Sequence, residues 1–368
     1  MKKIILFVIL LIPILKIDAL ESYVVMDTKS SRILSSKNMD EKMLIASTTK
    51  IMTSLVALEN ASTTDVLCAG KEVLSVYGSM IYLDIGECMT LYDLLVGLNL
   101  RSGNDAAMVI ATETIGYDNF IKEMNILANK LGMTSTNFKN PHGLDNETEN
   151  ISTAHDLALL MRYATTNKTF MEITKLKKYM LTSNIEAHIW YNKNELLRSY
   201  KFLTGGKIGY TEKAGYMFVS SATKAGENLI VVTMKEKDRF NTHKKLYEEY
   251  FKEYDSYKIL NKKTFNVKSE YYKSYHLYIN EDVEVMLKKD ERDKIKIDID
   301  IIKKKKRSAT AVVLSTLSVL CLRAISTSCR MIITAIGVLL LPFPPVLFLL
   351  RLLPVQTSQS FLPRSSPP

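Results

Sequence analysis

Ser47 and Lys50, three residues apart in Ile45-Ala46-Ser47-Thr48-Thr49-Lys50, are the side chains of this sequence best suited to do chemistry together. A serine hydroxyl is a poor nucleophile at neutral pH and needs a base within hydrogen-bond reach. On a helix, residues three apart share a face, so Lys50 can stand beside Ser47. A lysine becomes a useful base only when its pKa falls, which burial and a second nearby cation both bring about. Lys207, in Lys207-Ile208-Gly209, can supply that second cation and attract a substrate carboxylate. If Ser47 lies at a helix start, its own N–H can donate to a developing oxyanion, and the N–H of Tyr210 would complete the hole. Between the two lies Ser102-Gly103-Asn104, with Ser102 suited to relay a proton toward a leaving amine and Asn104 to hold a substrate amide. Arg239, in Lys237-Asp238-Arg239-Phe240, can clamp a carboxylate bidentately. The chemistry predicted is acyl transfer through a serine ester, with lysine in place of histidine.

Each segment alone is weak evidence. Roughly one or two Ser-x-x-Lys matches arise by chance in a chain of this size. Taken singly, Ser47 and Lys50 read as a helix start with a solvated lysine, Ser102 to Asn104 as a turn, and Lys207 as an edge-strand charge. Their co-occurrence in this order is what favours chemistry.

The elements that must position these residues follow from periodicity. Tyr23–Asp27 and Arg32–Ser35 read as strands joined by a polar turn. Helices are predicted at Ser47–Asn60, Leu91–Leu98, Asp105–Ile115, Asp118–Leu131 and Thr153–Ala164, the last opened by Ser152. Lys207–Thr211, Tyr216–Thr223 and Leu229–Met234 are strand-like, and a helix at Phe240–Phe251 follows. Strands at both ends with helices between predict an α+β domain, in which one antiparallel sheet has adjacent terminal strands and lies between helical layers.

The chain of 368 residues divides into four parts. Residues 1–19, with Lys2 and Lys3 before the apolar run Ile4–Leu15, read as a signal peptide, which predicts an exported, extracytoplasmic protein. Residues 20–252 form the catalytic domain, and 253–307 begin a β-rich module that breaks off. Residues 308–368 lose Lys, Asp, Glu, Asn and Tyr altogether. That tail reads either as a membrane segment at Met331–Leu350 or as the product of a shifted reading frame. The net charge of +10 comes from lysines that alternate with acids, without an aromatic-interleaved basic stripe, so no nucleic acid partner is expected. The four cysteines show no metal spacing; Cys68 and Cys88 are read as free, small apolar side chains in preference to a pair formed after export. Neither a metal nor a cofactor is called for.

The three segments, with Gly78-Ser79-Met80-Ile81-Tyr82-Leu83, Pro141-His142-Gly143-Leu144 and Ala214-Gly215-Tyr216, resemble the low-molecular-mass penicillin-binding proteins of the D-alanyl-D-alanine carboxypeptidase type. The resemblance runs from about Ser22 to Phe251. It implies a β-lactamase/transpeptidase-like fold and removal of the terminal D-alanine from peptidoglycan stem peptides ending in D-Ala-D-Ala. It also implies covalent inhibition by β-lactams and association with the outer membrane face. By that resemblance Ser47 is the nucleophile, Lys50 the base, Ser102 and Asn104 the second motif, and Lys207, Gly209, Tyr210 and Thr211 the third. His142 is read as a turn residue. The chain departs from the family at Ile208, where threonine would bond the substrate carboxylate; losing such a bond costs about 1.5–3 kcal/mol. Thr211 and Arg239 are the candidates to compensate. A catalytically weak penicillin- or peptidoglycan-binding module is therefore the alternative, and a serine β-lactamase, lacking a Glu-x-x-Leu-Asn loop here, is the lesser one.

Overall fold

The computed structural model describes residues 21–266, 279 and 281–301, and strand segments at 315–321, 329–335, 338–339 and 346–347. The signal-peptide reading of residues 1–19 lies outside the described residues, as does most of the tail. A five-stranded antiparallel sheet forms the centre. Its strands are β1 (Ser22–Asp27), β2 (Ile33–Lys37), β3 (Leu203–Thr211), β4 (Gly215–Lys224) and β5 (Glu227–Met234), and their spatial order is β2-β1-β5-β4-β3. The predicted adjacency of the terminal strands is observed, with Val24 opposite Val232 and Ser22 opposite Met234.

Both faces of this sheet are covered, and the strands show it residue by residue. Val24 and Met26 of β1, Met217 and Val219 of β4, and Ile230 and Val232 of β5 enter the larger core. Their neighbours Val25, Phe218, Leu229 and Val231 enter a second core on the opposite face. Strands apolar on both faces suit a sheet buried on both faces. Fully burying one such side chain contributes about 1.5–3 kcal/mol.

The larger core is closed by α1 (Lys50–Asn60), α2 (Leu91–Leu100), α3 (Asn104–Ile115), α4 (Tyr117–Lys130), α5 (Ala154–Ala164) and α6 (Lys168–Lys175). The second core is closed by α7 (Leu196–Ser199) and α8 (Arg239–Glu253), which carries Tyr247 and Tyr250 onto the sheet. A buried histidine lies there too. His243 Nδ1 meets Ser220 Oγ at 2.7 Å and its Nε2 meets Thr233 Oγ1 at 2.9 Å, with burial and Arg239 holding its pKa well below the usual value. This Ser–His contact is sealed between sheet and helix, and among the described residues no carboxylate bonds the imidazole, so it is not placed to serve a substrate.

Three sequence expectations need correction. The predicted helix at Ser47 begins as a 3-10 turn over Ala46–Thr49, and α-helix starts only at Lys50. α5 is opened by Thr153, whose hydroxyl accepts from the Asp156 N–H at 3.1 Å, while Ser152 belongs to a short strand pairing with Met43. Cys68 and Cys88 are joined in a disulfide across the short strands Val66–Cys68 and Cys88–Thr90, rather than lying free in the core. Cys68 stands exposed, so no apolar packing held it as a thiol.

Beyond α8, Asp255–Leu260 pairs antiparallel with Val283–Leu287, and Ile295–Ile301 pairs with Ser315–Cys321, itself paired with Cys329–Ala335. Among the described residues no helix is long and apolar enough to cross a membrane.

Candidate active site

Ser47 projects from the 3-10 turn that packs against β3, the edge strand of the sheet. Ala46, immediately before it, adopts a left-handed φ of +45°. This turns the chain sharply and places the Ser47 N–H in the first turn, where no preceding carbonyl of the helix can take it. Gly209 of β3 faces that amide so closely that a methyl group there would stand 3.1 Å from the Ser47 nitrogen. Behind the turn, Gly143 at φ +88° approaches the Ala46 carbonyl so closely that an added Cβ would lie 1.9 Å from its oxygen. Gly143 is thus required by close approach of backbone, and a side chain at Gly209 would press on the Ser47 amide.

Lys50 is fully buried on the first turn of α1. Its Nζ lies 3.1 Å from Ser47 Oγ, 2.6 Å from Asn104 Oδ1 and 2.6 Å from the His142 carbonyl oxygen. A neutral amine has two N–H donors and one lone pair. The two carbonyl-type oxygens take both donors, so in the neutral state the lone pair is left for the Ser47 hydroxyl. Burial is the main reason that the Lys50 pKa falls to about 7; Asp105 opposes the shift and Lys193 adds to it. The residue is therefore divided between amine and ammonium near neutral pH.

Lys207 on β3, also buried, donates to Ser102 Oγ at 3.0 Å and to the Ile208 carbonyl at 2.9 Å. Burial first, then Lys50, Lys193 and Arg239, hold its pKa well below the ordinary lysine value. Ser102 has a left-handed φ of +65°, a conformation that costs a non-glycine residue on the order of 1–3 kcal/mol. That backbone carries its hydroxyl between α2 and α3 to Lys207. Asn104, the first residue of α3, also donates from Nδ2 to the Tyr77 carbonyl at 2.5 Å. Its amide is thereby oriented with the oxygen toward Lys50.

The loop that roofs the site is pinned by one carboxylate. Buried Asp105 accepts the backbone N–H groups of Ile81, Tyr82 and Leu83 at 3.0, 2.7 and 3.2 Å, together with that of Ala106 at 2.9 Å. The same loop presents Ser79, whose Oγ accepts from Lys193 Nζ at 3.0 Å.

The structure thus brings Ser47, Lys50, Ser102, Asn104, Lys207 and Gly209 into one cluster. Tyr210 follows Gly209 at the exposed end of β3, its ring 4.5 Å from that of Tyr216. Arg239 reaches the same strand, donating to the Gly209 carbonyl at 2.9 Å with its guanidinium over the Tyr216 ring. Thr211 is placed otherwise than a substrate-carboxylate ligand: its hydroxyl meets Asp145 at 2.5 Å and accepts from the Ala214 N–H at 3.0 Å. Ile208 turns to the other face of β3, against the core beneath α8, as strand alternation demands.

Sequence reasoning missed two residues. His142, read as a turn residue remote from the cluster, gives its carbonyl to Lys50, and burial with the Lys50 charge lowers its imidazole pKa to about 3. Lys193 is a third lysine of the site, half-buried, with its own pKa lowered by burial. No local pattern marks it, because it comes from the irregular segment after the hairpin Lys178–Thr182/Ala187–Tyr191.

The sequence and the fold have known counterparts. Residues 13–238 match the family model described as D-alanyl-D-alanine carboxypeptidase. The chain is 31% identical over 287 residues to the D-alanyl-D-alanine carboxypeptidase DacF of Bacillus subtilis, covering 74% of this chain and 73% of that one. It is 34% identical over 215 residues to DacB2 of Mycobacterium tuberculosis, covering 58% and 74% respectively. Among solved structures, penicillin binding protein 5 from Haemophilus influenzae superposes with a TM-score of 0.69 at 26% identity, covering 86% of this chain and 96% of that one. The D-alanyl-D-alanine carboxypeptidase of M. tuberculosis H37Rv gives 0.61 at 31% identity, with 63% and 90% covered. A serine with a buried lysine at its side and a family match over most of the α+β domain converge: this chain belongs to the serine-type D-alanyl-D-alanine carboxypeptidases.

Proposed function

We propose that Ser47 is the acylating nucleophile of a carboxypeptidase that removes the terminal D-alanine from peptidoglycan stem peptides. The observation that carries this is the Lys50 amine, buried beside Ser47 Oγ with both N–H donors directed to carbonyl-type oxygens. Neutral Lys50 takes the Ser47 proton as Oγ attacks the carbonyl of the penultimate D-alanine. The tetrahedral oxyanion is held by the N–H groups of Ser47 and Tyr210. The C–N bond then breaks, and the departing D-alanine amine takes the proton that Lys50 received, relayed through Ser102, which Lys207 orients, so that Lys50 is neutral again. Water hydrolyses the resulting ester with Lys50 again as base, restoring Ser47. Lys207 and Arg239 set a positive potential for the substrate's terminal carboxylate, and Asn104 lies within reach of the peptide. A β-lactam enters by the same attack on its ring carbonyl and remains as the ester.

The same reading places the protein outside the cytoplasm, at the outer membrane face or released from it. The amino-terminal Lys2, Lys3 and apolar run support export, and the Cys68–Cys88 disulfide supports an oxidising compartment.

The direct test incubates the full chain with a diacetylated Lys-D-Ala-D-Ala tripeptide and measures released D-alanine beside a Ser47→Ala control. Release that vanishes in the control is expected. Folded protein that releases none would overturn the assignment and leave a penicillin-binding module.

A further inference from the structure

Glu87 closes the loop that roofs the site, and Glu186 and His188 belong to the hairpin beside it. Glu87 Oε1 lies 2.6 Å from His188 Nε2, Glu186 Oε1 lies 3.8 Å from that same nitrogen, and the three ligand atoms lie within 4.8 Å of one another. The Glu87 carboxylate is fully buried and already oriented, accepting from Ser183 Oγ at 2.6 Å and from the Asp84 N–H at 3.1 Å. Among the described residues, the ion pairs of Glu87 and Glu186 are with His188 alone. Two carboxylates therefore share one imidazole, and the excess negative charge has no lysine or arginine bonded to it.

We propose that Glu87, Glu186 and His188 bind a divalent transition-metal cation of the Zn2+ class. One imidazole nitrogen with two carboxylate oxygens suits borderline cations better than Ca2+ or Mg2+, which take oxygen cages. Tetrahedral ligation at about 2.0–2.1 Å sets neighbouring ligand atoms about 3.3 Å apart. The observed separations of 2.6 and 3.8 Å bracket that value. Glu186 is exposed, so the cation has an entry path and an open fourth position for water. Ser183 and the Asp84 amide orient the Glu87 ligand from behind, as outer partners do in built metal sites. Bound metal would tie the roof loop to the hairpin one residue away from the Cys88 disulfide.

The test titrates Zn2+ into the metal-free full chain against a chromophoric chelator, with Glu186→Gln and His188→Ala variants in parallel. One equivalent held by the unmodified chain, and affinity reduced at least tenfold by Glu186→Gln, is expected. Glu186 is at the surface, so that variant carries the test even if His188→Ala fails to fold. Cobalt(II) serves as the second readout. Nitrogen and oxygen donors give visible ligand-field bands without the thiolate charge-transfer band that Cys321 and Cys329 would produce. No uptake by the unmodified chain, equal affinity in Glu186→Gln, or a thiolate band would each overturn the site.

Discussion

If Lys50 is the base, the rate of acylation must follow its deprotonated fraction. A lysine of ordinary pKa is neutral only about three times in ten thousand at pH 7, whereas one at about 7 is neutral half the time, a gain on the order of 10^3-fold in competent enzyme. The acid limb follows: from pH 8 to pH 6 the neutral fraction falls from about nine tenths to about one tenth, so acylation should slow roughly tenfold. The second-order rate of labelling by a fluorescent penicillin reads this step directly. Two substitutions should move the limb in opposite directions. Lys193→Met removes a cation that depresses the Lys50 pKa, so the limb shifts to higher pH. Asp105→Asn removes the charge that raises it, so the limb shifts to lower pH. Acylation independent of pH between 5.5 and 8 in folded protein would refute Lys50 as the base. Shifts of the same sign in both variants would refute the electrostatic account of its pKa.

Further predictions concern neighbouring residues. Gly209→Ala should lower acylation by about 10^2-fold or more, because the new methyl crowds the Ser47 N–H; an oxyanion-hole donor is worth about that much, and unchanged acylation in a stopped-flow assay would exclude this hole. Ile208→Thr puts its hydroxyl on the face of β3 turned to the core beneath α8, away from the site, so kcat/KM on the tripeptide should stay within roughly threefold; a rise of about tenfold or more in steady-state kinetics would show that position 208 reaches the substrate carboxylate. Replacing Cys68 and Cys88 by serine opens a cross-link of sequence separation 20 and should cost about 3 kcal/mol, measured by denaturant unfolding.

The strands and most helices were legible because their apolar periods are uninterrupted, as in Leu229–Met234 and α1. The trio was legible because its residues cluster in short segments of fixed order. What escaped was set by tertiary approach. Nothing local announces that the irregular segment at Lys193 returns to Ser79, or that the His142 carbonyl arrives under Lys50. The 3-10 turn at Ser47 was read as α-helix because periodicity cannot show a left-handed Ala46. Cys68 and Cys88 carry no spacing signal, and only the pairing of their two short strands sets them side by side.

The inner position of β1, between β2 and β5, has a consequence for how this chain becomes a protein. Tyr23 is paired with Thr233, so the first strand of the domain finds its inner partner only after some two hundred intervening residues are available. Contacts so distant in sequence make folding slow, because loop-closure entropy must be met before the sheet rewards it. A chain delivered through a narrow pore, amino terminus first, would stay open until β5 emerged. The topology that sandwiches the sheet thus also holds the domain open until nearly all of its polypeptide is available.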